Sequence, residues 1–131
     1  MTGGVYVPLD STFCDTTVSR QVVRQTGYEG FHAYVKLLCT LLGEPGGRLP
    51  YSLDSERDDL ADRLGVSQET CGLLISLLEH YGAIVIDSGS MTSPMVMQAL
   101  SERDEIRRKR AAAGRAGGIA SGKSRSRKEE C

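Results

Sequence analysis

Residues 58–87 decide the fold and read DDLADRLGVSQETCGLLISLLEHYGAIVID. The apolar residues at positions 60, 61 and 64 recur at helical spacing, which predicts a short helix. Gly65 permits a tight turn after it, and Val66 fills the corner. Ser67 then caps a second helix whose apolar residues again follow the helical period. Two short helices joined in this way are typical of a helix-turn-helix.

A β-hairpin is predicted directly after these two helices. The branched residues of 83–87 favour a strand, Ser88-Gly89-Ser90 turns the chain, and Met91-Thr92 returns as a short partner strand. A helix-turn-helix followed at once by a hairpin is the arrangement of a winged helix. The predicted fold class is therefore mainly α with a small β-hairpin, built as a winged helix-turn-helix.

The segment before this unit predicts helix and a little strand. Capping residues at 15–17 start a first helical stretch that Gly27 stops, and a second helix follows from about Glu29 to Leu42. Residues 48–51 predict a brief edge strand, and the capping residues at 54–55 start the helix-turn-helix.

The segment after the hairpin predicts a long helix and then a flexible tail. Ser93-Pro94 is a strong helix start, and the helix is expected to run to about Ala113. The glycines at 114, 117 and 118 are expected to break it, and a flexible Gly/Ser/Lys/Arg tail follows. We therefore predict a winged-helix domain at 1–102 and a basic extension with a flexible tail at 103–131.

Charge divides the chain at residue 102. The 131 residues carry a formal net charge of -1. Residues 1–102 hold 6 Lys/Arg against 13 Asp/Glu, a net charge of -7, whereas residues 103–128 hold 10 Lys/Arg against 2 acids, a net charge of +8. An acidic body with a basic extension predicts an anionic partner for the extension.

The second helix of the helix-turn-helix is poorly equipped to read DNA. Base edges in the major groove are read chiefly by Arg, Lys, Asn and Gln, and phosphate neutralisation supplies much of the affinity. No Lys or Arg lies between Arg63 and Arg103, and the wing at 87–90 has none. The candidates for base contact on this helix are Gln68, Glu69, Thr70 and Ser76. Folding and self-association are the alternative roles of the helix.

The basic extension is the stronger nucleic-acid candidate. Contact with about six phosphates would give a log–log salt slope of about -5 and would be largely independent of base sequence. RNA binding and a merely solubilising role stay open. The predicted contact residues are Arg103, Arg107, Arg108, Lys109, Arg110, Arg115, Lys123, Arg125, Arg127 and Lys128.

Catalytic, metal and membrane roles are not supported by the sequence. The four cysteines are widely spaced, and only two histidines, His32 and His80, could join them as ligands, so no metal or other cofactor is predicted. Cys39 and Cys71 lie in apolar runs and are expected to be buried, reduced thiols. No Ser/His/Asp or Cys/His arrangement indicates an enzyme. No apolar run is long enough for a membrane span, and the start of the sequence indicates no signal peptide, so we predict a cytoplasmic protein.

Several segments together resemble the phage replisome-organiser-like N-terminal domain family, a winged-helix group classed as a domain of unknown function. They are Tyr6-Val-Pro-Leu-Asp10, Gly27-Tyr-Glu-Gly30 with Tyr34-Val-Lys-Leu-Leu38, Thr92-Ser93, and the basic glycine-rich run that starts at Ala113. The family's Leu-Thr-Ser helix entry has Met91 in place of leucine. The resemblance implies a phage or prophage setting and a role near replication initiation, by similarity to DnaD-type primosomal proteins. In those relatives the winged helix is associated with oligomerisation.

The sequence therefore predicts a non-enzymatic, DNA-associated accessory protein. Its body would self-associate into a homo-oligomer, and its basic extension would contact DNA, with replication proteins as further partners. One alternative is a protein–protein adaptor whose acidic helix docks on a helicase loader or initiator without direct DNA binding. The other alternative is a sequence-specific transcription regulator that reads bases with the second helix.

Overall fold

The computed structural model describes the backbone of residue 9 and of residues 11–130, and the side chains as far as residue 114. The opening segment Tyr6–Asp10 therefore lies outside the described residues, apart from Leu9. The chain forms two compact units, residues 1–100 and 101–131. It is mainly helical with a small antiparallel sheet. The elements are α1 (Thr17–Gly43), β1 (Leu49–Pro50), α2 (Asp54–Leu64), α3 (Gln68–His80), β2 (Val85–Asp87), β3 (Ser90–Thr92) and α4 (Pro94–Glu130), with short 3-10 turns at Phe13–Asp15 and Pro45–Gly47.

Helix α1 contains both predicted helical stretches, joined across a kink. Thr16 caps its start: the Thr16 hydroxyl accepts a hydrogen bond from the Ser19 backbone N–H at 3.2 Å. Gly27 has φ 74 and ψ -175 inside the helix, a conformation that only glycine adopts readily. The predicted stop at Gly27 is therefore a sharp change of direction, and helix resumes on its far side to Gly43.

The core lies between α1, α3 and the sheet. Leu37 and Leu41 of α1 and Leu74 and Leu78 of α3 have no exposed surface, and they recur at four-residue steps within each helix. Cys39 was expected to be buried but is exposed. It falls on the opposite side of α1 from the leucines, so the apolar run around it did not determine its burial.

The three strands form one antiparallel sheet in the order β1-β3-β2. Met91 of β3 pairs with Leu49 of β1 and with Ile86 of β2, and it is fully buried. Both the predicted hairpin and the predicted edge strand are thus confirmed. The hairpin turn has positive φ at Ser88 and Gly89, the backbone that a two-residue hairpin loop requires.

The start of helix α2 is capped by a carboxylate inside the helix and not by the predicted capping residues. Leu53 occupies the cap position, and its side chain cannot accept a hydrogen bond. Glu56 supplies the acceptor: its Oε1 receives the backbone N–H groups of Leu53 at 2.9 Å and Ser52 at 3.0 Å. These bonds favour the ionised side chain, first that from Leu53 and then that from Ser52, and they lower the pKa of Glu56.

A Glu56→Gln substitution should therefore lower the melting temperature at neutral pH and matter little in acid. A lowered pKa in the folded state contributes stability above the unfolded pKa, and this contribution is lost as the pH falls through the folded value. The difference in melting temperature between wild type and variant should therefore shrink between about pH 5 and pH 3. Thermal unfolding followed by circular dichroism measures it, with Glu29→Gln on the exposed side of α1 as control. An equal difference at every pH would show that the charge of Glu56 is not what holds the start of α2.

Helix α4 begins at Pro94 as predicted but does not end near Ala113. Its backbone stays helical to Glu130, through the glycines at 114, 117 and 118, so the predicted break is not found, and the flexibility of the tail stays a prediction. A glycine costs a helix about 1 kcal/mol without forcing it to stop, and the Ala, Arg and Lys residues around these glycines favour helix. No helix in the described part of the chain is both long and apolar enough to cross a membrane.

Candidate functional site

A cleft of about 610 Å³ lies between the start of α2, the outward side of α3 and strand β2. We call it the α3 cleft. The buried residues that line it are Tyr51, Cys71 and Ile75, and the half-buried Ile86 joins them. This group forms an apolar floor. The other residues that line the cleft are exposed and polar, apart from one glycine, so the cleft combines an apolar floor with a polar rim.

The rim of the α3 cleft is acidic. It carries the three carboxylates of Asp54, Asp58 and Glu79 and the single guanidinium of Arg57. That guanidinium lies over the ring of Tyr51, with its Cζ atom 5.5 Å from the ring centroid, in a cation–π arrangement. An excess of carboxylates repels phosphate groups and attracts cationic side chains.

The floor of the cleft holds two neutral proton donors. Burial, above all, raises the pKa of the Tyr51 hydroxyl, and Cys71 and Glu79 raise it further against the opposing effect of Arg57. Burial also raises the pKa of the Cys71 thiol. A buried thiol whose pKa is raised is a poor nucleophile. The floor is therefore suited to apolar contact and not to covalent chemistry.

The structure separates the four candidate base-reading residues. Gln68 and Ser76 both line the α3 cleft and are exposed. Glu69 is exposed on α3 but does not line the cleft. Thr70 belongs to the start of the helix: its backbone N–H donates to the Ser67 hydroxyl at 3.1 Å, and the two hydroxyl oxygens are 3.0 Å apart. Two of the four thus face the cleft, and Thr70 has a capping role.

Sequence reasoning did not identify the acidic rim. Asp54 was predicted only as a capping residue at the start of the helix-turn-helix. The fold places Asp54 and Asp58, one helical turn apart, on the same cleft as Glu79 of the next helix. The helical spacing of the two aspartates was visible in the sequence, but the position of Glu79 relative to them depends on how α2 packs against α3.

The second unit presents positive charge on exposed helix. Arg107, Arg108 and Arg110 are exposed, and Lys109 forms an ion pair with Glu105 one turn earlier, at 3.3 Å. Arg103 is half-buried and lies 3.7 Å from Asp104. The side chains of the remaining predicted contact residues lie outside the described part of the chain; these are Arg115, Lys123, Arg125, Arg127 and Lys128.

One face of this helical segment combines arginine with a single apolar residue. Positions 103, 106, 107 and 110 follow the spacing that places residues on one side of an α-helix. They are Arg103, Ile106, Arg107 and Arg110, and we call them the basic stripe. The Ile106 side chain is 49% exposed, so an apolar contact is offered between the arginines.

The described residues offer little other chemistry. Among them, no group of three His, Cys, Asp or Glu residues is arranged to hold a metal ion. His32 is exposed on α1, and the His80 ring packs edge-on against Tyr81 at 4.9 Å between centroids. Cys14 is exposed, as is Cys39. The α3 cleft and the basic stripe are therefore the candidate functional surfaces of the described residues.

No protein-family model, curated protein or solved structure matches this chain. The resemblance to the replisome-organiser-like family therefore rests on the quoted segments alone and stays a prediction.

Proposed function

We propose that the chain is a non-enzymatic, DNA-associated accessory protein with a winged-helix body and a basic helical extension. The body self-associates, and the extension from residue 103 to 128 contacts nucleic acid through its backbone phosphates. The family resemblance supports a setting near replication initiation in a phage or prophage. The protein acts in the cytoplasm in this proposal.

The order of the elements supports a winged helix. The chain runs α1-β1-α2-α3-β2-β3, and its sheet order is β1-β3-β2. A winged helix has this arrangement, with α2 and α3 as the helix-turn-helix and the β2–β3 hairpin as the wing. The turn at Gly65, with φ 72, ends α2 just before the Ser67 cap of α3.

The distribution of charge carries the DNA-binding part of the proposal. Arginines at 107, 108 and 110 are exposed on a helix of the second unit, whereas the outward side of α3 faces an acidic cleft. Phosphate contacts by Arg and Lys supply most sequence-independent affinity for DNA. The extension is therefore the better DNA ligand, and α3 is a poor reader of bases.

Exposed apolar residues support self-association of the body. Tyr28 on α1 is 82% exposed beside the Gly27 kink, and Val85 on the wing strand is 45% exposed. Single exposed apolar residues are common, but a tyrosine with so little contact has no packing role in the body. These positions agree with association through α1 or the wing.

A protein–protein adaptor is the second candidate function, and the acidic α3 cleft favours it. An apolar floor with carboxylates on its rim suits a basic amphipathic segment of a protein partner. A helicase loader or initiator would then bind the body, and the extension would not be needed. A sequence-specific regulator would need Gln68 and Ser76 to reach bases, and the neighbouring carboxylates oppose that.

Duplex binding by two variants of the full chain separates these functions. One variant replaces the base-reading candidates (Gln68→Ala/Ser76→Ala), and the other neutralises exposed arginines (Arg107→Gln/Arg108→Gln/Arg110→Gln). Fluorescence anisotropy at low salt should give the first variant a Kd within about twofold of wild type, because base contacts are not used. The second should bind more than about tenfold more weakly, because three phosphate contacts are lost. The reverse ranking would favour a transcription regulator, and no binding by wild type would favour the adaptor.

A further inference from the structure

The α3 cleft and the basic stripe are complementary. The cleft offers three carboxylates around an apolar floor, and the stripe offers the exposed guanidinium groups of Arg107 and Arg110 beside one exposed isoleucine, with the half-buried Arg103 one turn earlier. Aliphatic contact would place Ile106 against Ile75 and Ile86, and the flanking arginines would then meet the acidic rim. A bare acidic surface would attract any cation, but the apolar floor selects a segment with an apolar residue between its charges.

We propose that the basic stripe of one copy of this chain docks in the α3 cleft of a second copy. The proposal places the self-association of the proposed function at this contact between extension and body instead of at α1 or the wing, and it rests on that function to this extent. The occupant is a second copy because every copy carries both halves of the contact, and because the net charges of residues 1–102 and 103–128 are opposite.

The contact is head-to-tail and not two-fold symmetric. An open assembly then keeps a free cleft at one end and a free stripe at the other, so association continues into longer chains or closes into a ring. Exposed ion pairs are individually weak and are screened by salt, so the assembly should form at low ionic strength and dissolve as salt is added.

DNA and the cleft then compete for the same arginines. Arg107 and Arg110 belong both to the stripe and to the proposed phosphate contacts. Duplex DNA should therefore dissociate stripe–cleft contacts, because the carboxylates of the neighbouring copy's cleft and the DNA phosphates bind the same arginines. Assembly through the cleft and DNA binding through the stripe become alternative states of the protein.

Mixing two defective full-length variants tests the proposal without DNA. The cleft variant is Asp54→Asn/Asp58→Asn/Glu79→Gln, and the stripe variant is Arg107→Glu/Arg110→Glu. Sedimentation velocity at low ionic strength should show concentration-dependent association of wild type and monomers for each variant alone. An equimolar mixture should give a one-to-one dimer, because one variant keeps a working stripe and the other keeps a working cleft. It should stop at the dimer, because the remaining two halves are defective.

A control variant removes the same charge from the same two helices outside the cleft. It is Asp59→Asn/Asp62→Asn/Glu69→Gln, and it should associate as wild type does. An Ile106→Asp variant should also be monomeric. Because this substitution leaves the residues of the cleft unchanged, it tests the contact even if the cleft variant fails to fold. The proposal fails if wild type is monomeric at low salt, if the cleft variant associates as wild type does, or if the mixture stays monomeric. These outcomes leave the DNA-binding proposal to its own assay.

Discussion

Raising the salt concentration fourfold, from about 50 to about 200 mM, should weaken binding of duplex DNA by roughly 10³-fold. The reason is counterion release: about six phosphate contacts by the extension give a log–log slope of about -5. Ten Lys/Arg residues lie in 103–128, which is enough for this number of contacts. The dissociation constant is measured by anisotropy across a salt series with a labelled duplex.

The same series should give nearly the same slope with a duplex of unrelated base sequence, because contacts to phosphates carry no sequence information. Affinity that is flat in salt would show that phosphate neutralisation is not the basis of binding. A large preference for one duplex would show that the protein reads bases, and the α3 helix would again be the candidate.

Replacing Leu78 with alanine should destabilise the body by about 2–5 kcal/mol. Leu78 has no exposed surface and belongs to the hydrophobic core, in which α3 packs against α1. Its truncation leaves a cavity that the surrounding leucines cannot fill without moving. Domains of this size are stable by about 5–15 kcal/mol, so the variant should lose a large fraction of its stability. Chemical denaturation with urea measures the change in the free energy of unfolding.

Leu73→Ala is the matched control, on the same helix and with the same atoms removed. The Leu73 side chain is 43% exposed, so its loss should cost under about 1 kcal/mol. Similar losses for both leucines would mean that α3 does not pack on α1 through Leu78. This comparison tests the core arrangement on which the position of the α3 cleft depends.

The elements of the body could be predicted from sequence because local signals agreed with packing. The Ser67 cap, the Gly65 turn and the leucine spacing of α3 all indicate the same helix boundaries, which the structure confirms. The prediction for the start of α2 was less accurate. Glu56 caps this start from inside the helix, and the residue at the cap position is a leucine, which is not a typical capping residue.

The end of α4 was predicted wrongly for a different reason. Each of the glycines at 114, 117 and 118 was interpreted as a stop, although a glycine weakens a helix without by itself ending it. Gly27 does have positive φ and redirects the chain, whereas α4 remains helical through its glycines. Composition alone does not distinguish the two situations.

Of the two candidate surfaces, the sequence predicted the basic extension but not the α3 cleft. Clustering of Lys and Arg after residue 102 predicted the basic extension, because charge can be counted along a chain. The α3 cleft joins Asp54 and Asp58 of α2, Glu79 of α3 and Ile86 of β2, residues far apart in sequence. Their meeting depends on tertiary packing, and no local pattern indicates it.

The salt slope of two matched triple variants tests the central claim, that the arginines of the extension and not the cations of the body hold DNA. One variant is Arg107→Gln/Arg108→Gln/Arg110→Gln, and the other is Arg20→Gln/Arg24→Gln/Lys36→Gln, which removes the same charge from exposed positions of α1. Each lost phosphate contact reduces the slope by about 0.9, so the first variant should lose about 2.7 from its magnitude and the second should keep the wild-type slope. An unchanged slope in the first variant, or an equal reduction in both, would contradict the account.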